Sequence, residues 1–196
     1  MDTNIVELAK RMQENDENAF REFFDIYFDK LYRFLLTILR NSEDSEDVTS
    51  TAFIYVWNNR AQLRQPDQLV AWLYQIGRHR AFDHIRREKN RRFVSVEEIE
   101  EFLPDGRVNI EDDADKYFSK KFLDKFLEGL SLEDRALIHL RFAEDLPFDQ
   151  IGKILEASPI AVRVRFHRVV KKLQRKADDG TFGHLRPSPA TKELYD

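Results

Sequence analysis

The stretch "LPFDQIGKILEASPIAVRVRFHRVVKKL", Leu146–Leu173, decides the fold. Ser158 followed by Pro159 is a helix start: the Ser oxygen accepts from free backbone N–H groups, and proline occupies the first helical position, where its missing N–H is not needed. At 100° per residue, Val162, Phe166, Val169, Val170 and Leu173 fall in one arc of about 100°, the face that turns to a core. Arg165, Arg168, Lys171, Lys172, Arg175 and Lys176 point elsewhere, with Arg163 at the margin. From Pro159 to Lys176 there are seven Lys or Arg and no acid, in a chain whose formal net charge is −4. Ile160, Ala161 and Val164 interrupt the polar face near its start. Beside arginines they suit a DNA major groove, where the thymine methyl is apolar and Arg reads guanine edges. Upstream, Phe148, Ile151, Ile154 and Leu155 form the apolar face of a short helix ended by a tight turn. Two short helices so joined predict a helix-turn-helix whose second helix enters the groove. A basic, solvated surface helix is the blander alternative.

Outward from this segment the chain is helical. Phe20, Phe23, Phe24, Tyr27, Phe28 and Leu31, then Val48, Ala52, Phe53, Tyr55 and Val56, recur at three and four, the spacing of a helix and not of a strand. Breaks fall at "RNSEDSED" (40–47) and "NRAQLRQPDQ" (59–68), which predicts three or four helices before Asn90. Six Gly and six Pro are too few for a protein of many hairpins, and 16 Phe supply a core. The expected fold is all-α: two small helical domains joined by an acidic linker, the second a helix-turn-helix. The boundaries read as 1–92, 93–116 for the linker, 117–177, and a loose tail over 178–196.

Charge is segregated along the chain. Arg78 to Arg92 holds seven basic residues against two acids, and Glu97 to Asp115 nine acids against one Arg. The first block, with Arg78, Arg80, Arg86, Arg87, Lys89, Arg91 and Arg92, suits phosphates of partly melted DNA. Trp72, Tyr74 and Phe82 are aromatics on which an unstacked base rests, or core residues at helical spacing. The acidic block reads as a self-repelling spacer.

Other chemistries find no footing in the sequence. The chain has no Cys, which excludes disulfides, thiolate metal sites and a cysteine nucleophile. His79 and Asp83 share a helix face, but His84 points away and no third ligand stands at informative spacing. There is no glycine-rich phosphate loop. The expectation is a non-enzymatic protein with no cofactor, no metal and no small-molecule substrate. The charged N-terminus and the short apolar run Phe34–Leu39 predict a cytoplasmic protein without membrane insertion.

The segment "RALIHLRFAEDLPFDQIGKILEASPIAVRVRFHRVVKKLQ" (135–174) resembles the promoter-binding C-terminal domain of bacterial sigma factors of the extracytoplasmic-function (ECF) type. It is also similar to the helix-turn-helix of LuxR-type regulators. "AFREFFDIYFDKLYRFLLTILRNSEDSEDVTSTAFIYVW" (19–57) and "AWLYQIGRHRAFDHIRREKN" (71–90) resemble the other sigma domain, in the right order. The resemblance implies a transcription initiation factor whose partners are core RNA polymerase, promoter DNA and an anti-sigma factor. It assigns Ser158, Ile160, Ala161, Arg163, Val164, Arg165, Arg168 and Lys172 to the −35 element. Trp72, Gln75, His79, Arg80, Arg86 and Arg87 fall to the −10 element. Glu46, Asp47, Ser50, Thr51, Phe53, Ile54 and Trp57 fall to polymerase docking. The chain departs from the family pattern at Ser50-Thr51 (usually Gln-Glu), at His79 (often Asn) and at Ala161 (commonly Thr). Two other readings remain open on the residues: a LuxR-like dimeric regulator, and a helical adaptor with weak DNA affinity.

Overall fold

In the computed structural model the described residues are 4–94 and 128–176, with side chains described to Arg91 in the first stretch. The linker and tail boundaries expected from sequence lie outside them. Seven helices occur among the described residues: α1 Ile5–Gln13, α2 Glu17–Leu39, α3 Ser42–Asn59, α4 Leu69–Val94, α5 Leu132–Phe142, α6 Phe148–Leu155 and α7 Pro159–Lys176. Two short 3-10 turns, Arg60–Gln62 and Pro66–Gln68, lead into α4. No strand occurs among the described residues.

Local chemistry sets the helix starts. Asn4, Asp16, Asn41 and Ser131 each accept a backbone N–H of the following turn through their side-chain oxygen. The break after α2 is shorter than the polar run "RNSEDSED" suggests. Arg40 turns the chain in the left-handed region (φ 56°), Asn41 caps, and "SEDSED" is already helix. Acids in a first turn face the positive end of the helix dipole, so this polar run supports a helix.

Between α2 and α3 the side chains form an aromatic cluster. Phe53 stands 4.9 Å from Phe24, 5.7 Å from Phe23 and 6.0 Å from Phe28, centroid to centroid. Aromatic pairs of this kind contribute roughly 0.5–1.5 kcal/mol each beyond their buried area. In α5–α7 the predicted core face of α7 is borne out: Val162, Phe166, Val169 and Leu173 are buried and Val170 half-buried.

The turn between α6 and α7 depends on Gly152. A Cβ there would meet the Ala157 carbonyl oxygen at 2.7 Å, so only glycine lets the chain double back this tightly. The carbonyl of Gly152 accepts from the Ala157 N–H at 2.9 Å, and Ser158 Oγ accepts from Ala161 N–H at 3.2 Å.

The two domains share one core. Phe34 of α2 and Tyr74 of α4, both fully buried, continue into Leu137 and Leu140 of α5 and Ile151 and Ile154 of α6. Tyr74 faces Glu144, which follows α5. Burial and that carboxylate push the Tyr74 phenol up. Burial alone would raise the Glu144 carboxyl; His139, 3.6 Å away, and Lys30 outweigh it and hold it below the usual range.

Candidate nucleic-acid interface

Two surfaces carry the residues singled out in the sequence. The first is the outer side of α7. Ile160 and Val164, one helical turn apart, are 76% and 65% exposed, far more than any packing role allows. Ala161, Arg163 and Arg168 are exposed beside them, and Ser158 caps the helix. The Arg163 guanidinium lies over the Phe148 ring at 5.5 Å, which holds the exposed side chain in place. Arg165 and Lys172 differ from these. Arg165 turns back to bond Asp134, Glu133 and Ser131 of the α5 N-terminus, and Lys172 Nζ donates to the Gly129 carbonyl at 2.6 Å.

The second surface is a concavity of about 650 Å3 between α3 and α4. Trp72, Gln75, His79, Arg80 and Arg87 of α4 line it, facing Asp47, Thr51 and Tyr55 of α3. Tyr55 escaped sequence reading because its helical spacing matched the core set. It is instead 38% exposed, edge-on to Trp72 at 6.4 Å and beneath the Arg80 guanidinium at 5.1 Å. Trp72 is half-buried, so one side packs while the other faces the concavity. Arg86 stands outside on the exposed rim, paired with Asp83 at 2.8 Å.

Part of this second surface is covered by the first domain's neighbour. Gln75 Nε2 donates to the Lys153 carbonyl at 2.5 Å. Arg78 donates to Glu156 at 2.7 Å, and His79 lies 2.9 Å from the same carboxylate. Arg78 is 6% exposed, so the arginine expected on phosphates is held inside the domain contact. Glu156, in the helix-turn-helix turn, was not singled out from sequence; an acid in a turn carries no periodic signal. Hydrogen bonding to His79, against a small burial effect and aided by Arg78, draws its carboxyl below the usual range.

The residues that the sequence resemblance assigns to polymerase docking divide by exposure. Glu46, Asp47, Thr51 and Ile54 are exposed on α3 and Ser50 is half-buried among them. Phe53 is 1% exposed and belongs to the core behind that face. Trp57 is half-buried, its ring tilted against Phe20 at 4.9 Å and covered by Arg60 at 4.0 Å. His84 pairs with Asp44 at 3.2 Å, and no cluster of three or more metal-ligating residues occurs among the described residues. No described helix is long and apolar enough to cross a membrane.

A helix-turn-helix with an apolar, arginine-flanked tip is joined here to a second helical domain whose concavity is lined by aromatic, basic and acidic side chains, Asp47 and Asp83 among them. Comparison with known proteins gives the family. Residues 23–91 match Sigma-70 region 2 and residues 123–173 match Sigma-70, region 4, together more than half of the chain. The chain is 26% identical over 187 residues to the ECF RNA polymerase sigma factor SigW of Bacillus subtilis, covering 91% of this chain and 100% of that one. It is 27% identical over 165 residues to the RNA polymerase sigma factor CarQ of Myxococcus xanthus, covering 84% and 92%. The fold is shared with CnrH, solved in complex with the cytosolic domain of CnrY (TM-score 0.68, 19% identity, 89% and 97% covered). It is shared also with the sigma factor RpoE of Bartonella quintana, solved with the anti-sigma factor NepR (TM-score 0.62, 18% identity, 81% and 96% covered). The chain belongs to the sigma-70 family and is a promoter-directing RNA polymerase sigma factor of the ECF type. The region 2 match decides against a LuxR-like regulator, which the helix-turn-helix alone left open.

Proposed function

We propose that the two surfaces divide the promoter between them. The exposed tip Ile160, Ala161 and Val164, flanked by Arg163 and Arg168, enters the major groove of the −35 element. The concavity between α3 and α4 takes unpaired bases of the −10 element, stacking on Trp72 and Tyr55 with Arg80, Arg86 and Arg87 on the backbone. His79 and Gln75 complete its wall. The exposed α3 face, Glu46, Asp47, Ser50, Thr51 and Ile54, docks on core polymerase in the cytoplasm, with Phe53 and Trp57 supporting it. Residues 1–92 and 117–177 are the two functional domains, 93–116 their acidic connector and 178–196 a tail. The polymerase supplies all the chemistry; this chain supplies recognition.

The observation that carries this reading is the exposure of Ile160 and Val164 on an otherwise basic helix. It also requires the domains to part. Elements centred near −10 and −35 lie about 85 Å apart along B-DNA at 3.4 Å per base pair, whereas Arg78 and the helix-turn-helix turn touch at 2.7 Å. The closed arrangement is therefore the form free of promoter. Since CnrH and RpoE were solved with the cytosolic domain of CnrY and with NepR, an anti-sigma protein is the expected partner of this form. Footprinting of the chain with core polymerase on a selected promoter should protect both elements. Protection of a palindrome by the chain alone would contradict the proposal.

A further inference from the structure

Among the arginines of α7, Arg165 alone turns its whole fork inward. Its Nε donates to Asp134 Oδ1 at 2.6 Å, Nη1 to Glu133 Oε2 at 2.5 Å and Nη2 to Ser131 Oγ at 3.3 Å. Each nitrogen of the guanidinium thus has an acceptor in the first turn of α5. Ser131 is itself the cap of that helix, its Oγ accepting the Asp134 N–H at 3.2 Å. The side chain of Asp134 is 13% exposed and that of Arg165 29%, while Arg163 and Arg168 stand in solvent. A planar fork bound at three points fixes orientation in a way a lysine or a single pair does not. Arg165 lies near the middle of α7, so this bond set fixes the helix's rotation about its own axis. The apolar face of α7 beside it fixes the same rotation through Val162, Phe166 and Val169.

We infer that Arg165 is a positioning residue for −35 reading. It holds α7 at the roll angle that points Ile160, Ala161 and Val164 into the groove, and it makes no phosphate contact of its own. To reach a phosphate it would have to leave Glu133 and Asp134 as two uncompensated carboxylates beside the DNA, a repulsive arrangement. The inference rests on the −35 role proposed above for α7.

The test uses polymerase holoenzyme assembled with the full chain, on a promoter selected from a random library, and compares that promoter with single-base −35 variants. The ratio of affinities does not depend on the fraction of protein that is active, so a general loss of folding leaves it unchanged. A well-read base pair is worth about tenfold in this ratio. In Arg165→Ala, and equally in Glu133→Gln/Asp134→Asn, which leaves the arginine but removes its anchors, the ratio falls about threefold or more. The slope of log affinity against log salt stays at the wild-type value in Arg165→Ala. Arg165→Lys, able to reach one carboxylate, gives an intermediate ratio. A slope reduced by about one in Arg165→Ala, or a ratio unchanged in both anchor-loss variants, overturns the inference. A holoenzyme that selects no promoter overturns the −35 reading beneath it.

Discussion

The Glu156 carboxylate lies 2.7 Å from the guanidinium of Arg78, a residue 78 positions earlier on the other domain. Glu156 makes this contact from the left-handed backbone region (φ 56°), which costs a residue with a Cβ about 1–2 kcal/mol. Glycine is the usual occupant of such a turn. Most of the adhesion between domains comes from the shared apolar core of Phe34, Tyr74, Leu137 and Leu140. The ion contact, half-exposed on the Glu156 side, adds direction more than energy.

Closure therefore responds to Glu156. Cysteines introduced at the exposed positions Asn18 and Gln174, in a chain with none of its own, allow a dye pair across the two domains. Glu156→Gln leaves Arg78 without its counter-ion, and the distance distribution broadens away from the closed value. Glu156→Gly does the same while relieving the turn. A distribution identical to wild type in both variants would show that the contact does not hold the domains.

Neighbouring residues on α3 should separate folding from docking. Phe53→Ala removes the centre of the aromatic cluster and costs about 3–5 kcal/mol of stability. Ile54→Ala, at a position 58% exposed, leaves the thermal midpoint within a degree or two but weakens core-polymerase affinity by about 1 kcal/mol or more. Thermal melts and polymerase titration check the pair; equal melting loss in both would contradict the assignment.

On α7 the arginine and the apolar tip should give different signatures. Arg168→Ala weakens binding to all promoters alike and lowers the salt slope by about one. Val164→Ser changes base preference by about 1 kcal/mol at one position, the scale of a lost thymine-methyl contact. Competition among −35 variants at two salt concentrations distinguishes them, and a uniform loss from Val164→Ser would remove that residue from base reading.

Much of this was legible in the sequence, for local reasons. Ser158-Pro159 marks a helix start by its own chemistry, and the three-and-four spacing of Val162, Phe166, Val169 and Leu173 fixes the core face without knowledge of what covers it. The exposed tip follows by subtraction. Three features were not legible. Phe53 and Ile54 are adjacent apolar residues of one helix, and only the packing of α2 decides which faces inward. Tyr55 fits the apolar spacing yet lies on the concavity, where Trp72 meets it edge-on and Arg80 lies over its ring, both from another helix. The pairings of Arg78 with Glu156 and of Arg165 with Asp134 join charges distant in sequence, and a charge run looks the same whether it faces water or a partner carboxylate.

The paired acids also set a pH dependence. Burial alone would raise the Asp134 carboxyl, but the bonds from Arg165 and Ser131 win and hold it below the usual range. A carboxyl depressed in the folded state contributes stability above its unfolded value, about pH 4, and that contribution is lost as pH falls through the folded value. Asp134→Asn should therefore melt below wild type at neutral pH, with the gap closing as the solution is acidified below about pH 4. Midpoints measured across that range check this; a gap constant with pH would mean that the Asp134 charge is not what stabilises the contact.

The central claim is that this chain confers promoter choice on core polymerase through two separate surfaces. Its most direct test is transcription in vitro from a library randomised across both promoter elements, with core polymerase and the purified chain. Transcripts are expected from a narrow set of templates sharing two sequence blocks, with Val164→Ser altering the upstream block and His79→Asn the downstream one. No transcription above core polymerase alone, or a transcribed set with no shared upstream block, would contradict it.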